Sequence, residues 1–195
     1  MRLEALSRGH LDGLVAAASE SRATYGLTHV PDGREAMAVW IDASLAAAAR
    51  GEQVPFATVD TTSGRAVGST RYCAIERWAW PGGAPAAPRP DGPDVVEIGW
   101  TWLAASAQRT HVNTEAKLLM LGHAFDVWRV RRVSLKTDAR NARSRANIER
   151  IGCRFEGVLR AHMPAADGGV RDSAFYSMLS SEWPAARNRL ASRLR

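Results

Sequence analysis

The stretch VVEIGWTWLAASAQRTHVNT, residues 95–114, gathers residue types that can do chemistry. Glu97 is a single carboxylate in an otherwise apolar strand, a setting in which a carboxylate can take up a proton directly or through water. The polar turn from Gln108 to Thr114 then leads into an amphipathic helix expected to begin at Asn113 or Thr114. First-turn N–H groups of a helix have no helical partner, and the helix dipole adds partial positive charge there. Such a turn can hold an anion without a lysine or a metal. Arg109 adds a mobile positive charge. Read alone, a polar strand-to-helix turn is more often only a cap.

Both features need neighbours to position them. Residues 2–6 read as a strand, and HLDGLVAAAS and GREAMAVWIDASLAAAARG as helices, the second closed by Gly51 at its C-cap. VPFATVD and AVGSTRYCAI read as antiparallel strands joined across TTSGR. From Val95 the expected order is strand 95–103, helix 114–128, strand 130–138, helix 141–151, strand 153–162 and strand 171–180. Leu118, Leu121, Phe125 and Trp128 recur at helical spacing and should face a core. A strand, a crossover helix and a second strand make a parallel pair. The expectation is therefore an α+β fold with a mixed sheet and helices on both faces. Residues 79–94, rich in Pro and Gly, read as a surface excursion inside a single domain spanning 1–184, with a flap over a substrate mouth as its functional reading, and 185–195 as a basic tail or terminal helix.

The chain has 195 residues, 46% hydrophobic and 24% charged, which is ordinary for a soluble globular domain. No apolar run is long enough for a membrane span and the N-terminal residues lack a signal-peptide core, so a cytoplasmic protein is expected. Cys73 and Cys153 are far apart, without neighbours at metal-ligand spacing, so free thiols are expected and no metal. A net charge of +6 favours anionic partners: nucleic acid, a membrane surface or a phosphorylated cofactor. Charge alone does not choose among them.

VEIGWTWLAASAQRTHVNTEAKLLML, DARNARSRANIERIGCRFEGVLRAHM and GGVRDSAFYSMLSSEWP together resemble the GCN5-related N-acetyltransferase (GNAT) superfamily, in its ribosomal-protein N-terminal acetyltransferase-like branch. The resemblance runs from about Leu3 to Pro184 and is strongest over residues 95–184. It implies a central sheet of about seven strands whose splayed parallel pair binds acetyl-CoA as co-substrate. It also implies an amine acceptor, a protein N-terminus or a small amine, and leaves a homodimer open. In the family a Gln/Arg-x-x-Gly-x-Gly/Ala loop binds the pyrophosphate through main-chain amides. Gln108, Arg109, Thr110, His111, Val112 and Asn113 occupy that frame, with Thr114 following. His111 and Asn113 stand where small residues are usual. Asn tolerates cap geometry, whereas His111 requires a backbone outside the glycine-only region.

By the same resemblance Asn141 and Ser144 line the pantetheine arm and the departing sulfur, and Arg143 or Arg145 lies near the adenosine 3′-phosphate or faces solvent. Trp102, Leu103 and Ala104 give main-chain contacts to the pantetheine and thioester. Ile148 stands where many members have the tyrosine that protonates the thiolate.

Acetyl transfer needs a neutral amine, donors for a developing oxyanion, and a proton for the leaving thiolate. Glu97 is the candidate base, Ser144 and Tyr176 are candidate proton donors, and Asp172 could position the amine; His111 and His162 are more often structural. The N-terminal helices form one wall of the acceptor cleft, and Trp78, Trp80, Trp100 and Trp102 suffice to line it or to fill a core. Two rival readings remain. One is a degenerate CoA-binding sensor, suggested by Ile148 and His111. The other is an RNA- or ribosome-binding module, suggested by WRVRR, RNARSR and RNRLASRLR, but those clusters flank the expected phosphate sites and no nucleic-acid motif accompanies them.

Overall fold

The computed structural model describes residues 1–82, 84 and 92–194. Half of the Pro/Gly-rich excursion, residues 83 and 85–91, lies outside the described residues, as does the flap over the substrate mouth it suggested. Its base is described. Asp94 accepts from Trp78 N–H at 2.9 Å and from Trp80 Nε1 at 3.1 Å, and Arg131 lies on Asp94 at 3.3 Å and over the Trp80 ring. Trp78 and Trp80 therefore pin the two ends of the excursion together.

The strands are β1 (Arg2–Ala5), β2 (Val54–Val59), β3 (Ala66–Glu76), β4 (Val95–Leu103), β5 (Arg132–Asp138), β6 (Arg154–Pro164) and β7 (Val170–Leu179). The helices are α1 (Leu11–Ser19), α2 (Gly33–Ala49), α3 (Val112–Gly122), α4 (Ala142–Arg150) and α5 (Trp183–Ser192). One sheet carries all seven strands in the order β1-β2-β3-β4-β5-β7-β6, antiparallel except for β4 and β5. The expected β2–β3 hairpin forms around Asp60, whose carboxylate takes the Ser63 amide and hydroxyl, while Gly64 supplies the positive φ of 69°.

Strand alternation sends two sets of side chains to opposite faces. Val96, Ile98, Val133, Leu135, Tyr176 and Met178 pack with α3, α4 and α5 on one face; Ala57, Val59, Trp102 and Leu103 pack with α1 and α2 on the other. α3 starts at Val112, one residue before the expected cap. It passes at His123–Val127 into a single π turn instead of continuing as an α-helix to 128. The wider turn keeps the apolar stripe in register: Phe125 stacks on Trp183 at 5.7 Å, and Trp128 rests against Tyr72 at 4.7 Å.

Past Pro184, where the domain was expected to end, the chain continues as α5. Trp183, Ala186 and Leu190 fall on one face of this helix and are buried in the core against α3. Arg187 and Arg189 are exposed on its outer face and Arg193 at its C-cap.

The β5-to-α4 corner is held by charge. Arg140 donates to Asp138 Oδ1 at 3.0 Å and Oδ2 at 2.8 Å, and that hydrogen bonding holds the Asp138 carboxyl below its ordinary value. A depressed carboxylate stabilises the fold fully above the unfolded value of about 3.9, and the contribution disappears as pH falls through the lower folded value. Asp138→Asn should therefore flatten the acid limb of a stability–pH profile measured by denaturant melts between about pH 2 and pH 6. An unchanged acid limb would show that Asp138 contributes nothing there.

Candidate active site

β4 and β5 pair over only three positions, Val95↔Arg132, Val96↔Val133 and Glu97↔Ser134. Beyond Glu97 and Ser134 the strands diverge, although β4 runs on to Leu103 and β5 to Asp138. Facing backbone groups from Ile98 and Leu135 onward are thus not paired with each other. β4 also carries a bulge. Ser69 faces Trp102 while Arg71 faces Gly99, so two steps on β3 oppose three on β4, and Trp100 takes φ 53°. Its ring is 45% exposed on the α2 face, where buried Arg71 lies between the Trp100 and Trp40 rings.

The backbone groups of Leu103 and Ala104, expected to make contacts, are engaged within the chain. Ala104 N–H donates to Val67 O, and Ala104 O accepts from the amides of Ala107 and Gln108. Leu103 O accepts from Tyr25 Oη at 2.8 Å and from Gln108 Nε2 at 2.9 Å. These groups of Leu103 and Ala104 are already used: the turn at 105–107 takes Ala104 O, β3 takes the Ala104 amide, and the Tyr25 and Gln108 side chains take Leu103 O. Among Trp102, Leu103 and Ala104, Trp102 lies nearest the bulge, with its ring buried beside Tyr25 and its Nε1 without a partner among the described residues.

The loop into α3 has the geometry of an anion cradle. Arg109, Thr110 and His111 are exposed. The left-handed position is Arg109, with φ 61°, while His111 has φ −66° and needs no glycine. Thr110 Oγ1 donates to Ala107 O at 2.7 Å and receives the Val112 amide. The first main-chain bond of the helix runs from Glu115 N–H to His111 O. Among the described residues, the amides of Arg109, Thr110, His111, Asn113 and Thr114 meet no acceptor. Asn113 Oδ1 is buried without a partner, and Thr114 Oγ1 accepts from Arg150 at 3.2 Å. Free amides at a helix start fit a pyrophosphate, whereas the unpartnered Asn113 oxygen calls for a donor.

α4 approaches the same end of the splay. Asn141 caps it by accepting the Ser144 amide at 3.0 Å, leaving the Asn141 NH2 and the Ser144 hydroxyl with no recorded partner among the described residues. Arg143, expected near a phosphate or facing solvent, is exposed and latches helix to loop, donating to Gln108 Oε1 at 3.2 Å and Thr24 O at 3.0 Å. Arg145 donates to Tyr176 Oη at 2.9 Å, and Tyr176 in turn donates to Glu149 at 3.2 Å. Tyr176 is among the residues that line the Glu97 cavity, but its side chain is 1% exposed in the core and its hydroxyl is already bonded to Arg145 and Glu149. Ile148 is core.

Glu97 opens into a cavity of about 330 Å³ on the α2 face of the sheet, lined also by Ser134, Lys136, Glu156, His162 and Phe175. Its surroundings are not purely apolar, as the sequence suggested. Oε2 accepts from Lys136 Nζ at 2.7 Å, and Cys73 Sγ lies 3.7 Å from Oε1. Burial, with the Glu97 charge adding to it, pushes the Cys73 thiol up to about 12, which removes it as a nucleophile. His162 is held below its ordinary value by burial and the nearby Lys136, and bonds Ser173. Asp172 accepts the Ala161 amide at 2.8 Å and belongs to the β6–β7 hairpin. Lys136 is the member that sequence reasoning missed. Its signal was present in β5, where Ser134 and Lys136 alternate with buried Val133 and Leu135 and so share a face.

A family model described as an acetyltransferase (GNAT) domain matches residues 1–154. The chain belongs to this family and is, by class, an N-acetyltransferase with the GNAT fold. A GCN5-related N-acetyltransferase from Brucella melitensis superposes with TM-score 0.82 at 32% identity, covering 100% of this chain and 82% of that one. A proposed acetyltransferase from T. thermophilus gives 0.79 at 30% identity, covering 100% and 93%. YdaF of Bacillus subtilis, a proposed ribosomal N-acetyltransferase, is 33% identical over 88 residues, which is 45% of this chain and 47% of that protein. The chain thus spans under half the length of that relative. Among the described residues no cluster of His, Cys, Asp or Glu could hold a metal ion, and no helix is long and apolar enough to cross a membrane.

Proposed function

We propose that the chain transfers acetyl from acetyl-CoA directly to a primary amine, either a protein N-terminal α-amine or a small amine, in the cytoplasm. The observation that carries this reading is the β4–β5 divergence, with unengaged loop amides on one side and Glu97 in a cavity on the other. Acetyl-CoA supplies the activated acyl group. The amides of Arg109, Thr110, His111, Asn113 and Thr114 hold its pyrophosphate region, Asn141 and Ser144 its arm, and unpaired β4 groups beside the Trp100 bulge take the carbonyl oxygen. Glu97 removes a proton from the amine. With Ile148 in the core and Tyr176 bonded on both sides, solvent or the Ser144 hydroxyl returns a proton to the thiolate.

Free-thiol release from acetyl-CoA, screened over pools of N-terminal peptides, polyamines, amino acids and aminoglycosides, tests this. Release with one pool is expected. Silence in every pool despite CoA binding supports the sensor reading favoured by Ile148.

The loop has its own test. Arg109→Gly suits φ 61° and removes the side chain with its charge. CoA affinity should fall at low salt, with the loss shrinking as ionic strength rises, because exposed charges are screened within about 10 Å at 0.1 M. A loss independent of salt in titration calorimetry would mean that Arg109 acts through loop shape.

A further inference from the structure

The whole chain has two lysines, Lys117 and Lys136; its other Lys/Arg positions are all arginine. Neither lysine stands on open surface. Lys117 is 3% exposed, with Nζ on the Thr101 hydroxyl at 2.8 Å behind β4, on the α3 face. The Lys136 side chain is 23% exposed, inside the Glu97 cavity. A guanidinium stays protonated and resists acylation, whereas an amine does not. Among side chains this molecule therefore offers an acetyl donor one reachable amine, and it lies beside the proposed base. The chain's α-amine, at Met1, is paired with Glu115 at 2.6 Å.

The position of Lys136 is specific. β5 leaves β4 after Ser134, and Lys136 comes two residues later, on the face shared by Ser134 and Glu97. Its Nζ lies 2.7 Å from Glu97 Oε2 and 5.7 Å from the centre of the Phe175 ring. An external amine that Glu97 is to deprotonate must occupy the place this nitrogen holds, in hydrogen-bond reach of the carboxylate. The other internal nucleophiles are set aside by location or charge. Lys117 is on the far face of the sheet, and Cys73 is held as a neutral thiol.

We infer that Lys136 is a self-acceptor, a site at which the chain acetylates its own side chain using acetyl-CoA. The inference rests on the acetyl-CoA reading above. In the step, the Lys136 ammonium gives one proton to Glu97, and the freed lone pair forms an N–C bond to the thioester carbonyl carbon. The C–S bond breaks with its electron pair leaving on sulfur. The nitrogen loses a second proton, which leaves the products as an acetyl-amide on Lys136 and CoA thiol once the thiolate is protonated. The proton on Glu97 passes to water. No redox partner is needed. The product is neutral and larger than the amine, so it no longer pairs with Glu97 and fills part of the acceptor cavity. Modification is thus limited to one event per chain and lowers later turnover on external amines.

The test uses the full chain with isotopically labelled acetyl-CoA and no added amine, read by intact mass and peptide mapping, with CoA binding measured in parallel by calorimetry. The expected result is one acetyl group on Lys136, at a rate independent of protein concentration. Lys117 should stay unlabelled, and Lys136→Arg should take no label. Glu97→Gln should slow labelling by about 10²-fold or more. If CoA binds and an external amine is acetylated while Lys136 stays bare, this inference is overturned and the acetyl-CoA reading stands. If CoA does not bind, both fall. A rate proportional to protein concentration, or label spread equally over Met1 and both lysines, also overturns it, because the reaction is then between molecules or with the bulk reagent.

Discussion

Glu97→Gln is expected to lower turnover on the preferred amine by about 10²–10⁴-fold while changing the KM for acetyl-CoA little, the range typical of a positioned base. Glutamine keeps the size of the side chain and can still hydrogen-bond toward Lys136, but it cannot take a proton. Raising the pH should recover part of the variant's rate, because the amine then loses its proton to solvent. The same exchange separates chemistry from architecture. Glu97 is 5% exposed and its charge meets Lys136 at 2.7 Å, so a purely structural role would appear as an earlier melt, with normal turnover in the surviving folded fraction. Steady-state kinetics across pH, with a melting curve of each variant, distinguishes the two.

CoA and acetyl-CoA are each expected to raise the stability of the folded chain. A ligand bound only by the native state adds RT ln(1 + [L]/Kd), about 2.7 kcal/mol at a hundredfold excess over Kd. Dephospho-CoA should add less if a basic group meets the 3′-phosphate. Arg143 is committed to Gln108 and Thr24, so such a contact requires it to exchange those bonds for phosphate. Equal stabilisation by CoA and dephospho-CoA in thermal melts would show that it does not. An unchanged melting temperature at saturating CoA would remove the loop from the site altogether.

The order of strands and helices was legible because strand period, helix period and turn residues agree along most of the chain, and the turn into α3 because a helix start is a local feature. What the sequence hid was non-local or small. The bulge at Trp100 changes which backbone groups face the splay, and a one-residue register shift leaves little trace in side-chain pattern. The loop's strained position falls on Arg109 rather than His111, since the backbone there is set by how the 105–107 turn delivers the chain to α3. The Glu97–Lys136 pair joins residues 39 positions apart, and pairing depends on the parallel register of β4 and β5. α5 looked like a basic tail because of its arginines, but Trp183, Ala186 and Leu190 at helical spacing were the signal of a buried face.

Direct acetyl transfer from acetyl-CoA to an amine is tested most directly by counting products. Free thiol and amide-linked acetyl groups are measured together, with and without the best acceptor from the amine pools. Equal amounts of thiol and acetyl-amide are expected when the acceptor is present, continuing over many turnovers, and no more than one thiol per chain when it is absent. Binding of acetyl-CoA with no thiol released in the presence of any acceptor would contradict direct transfer.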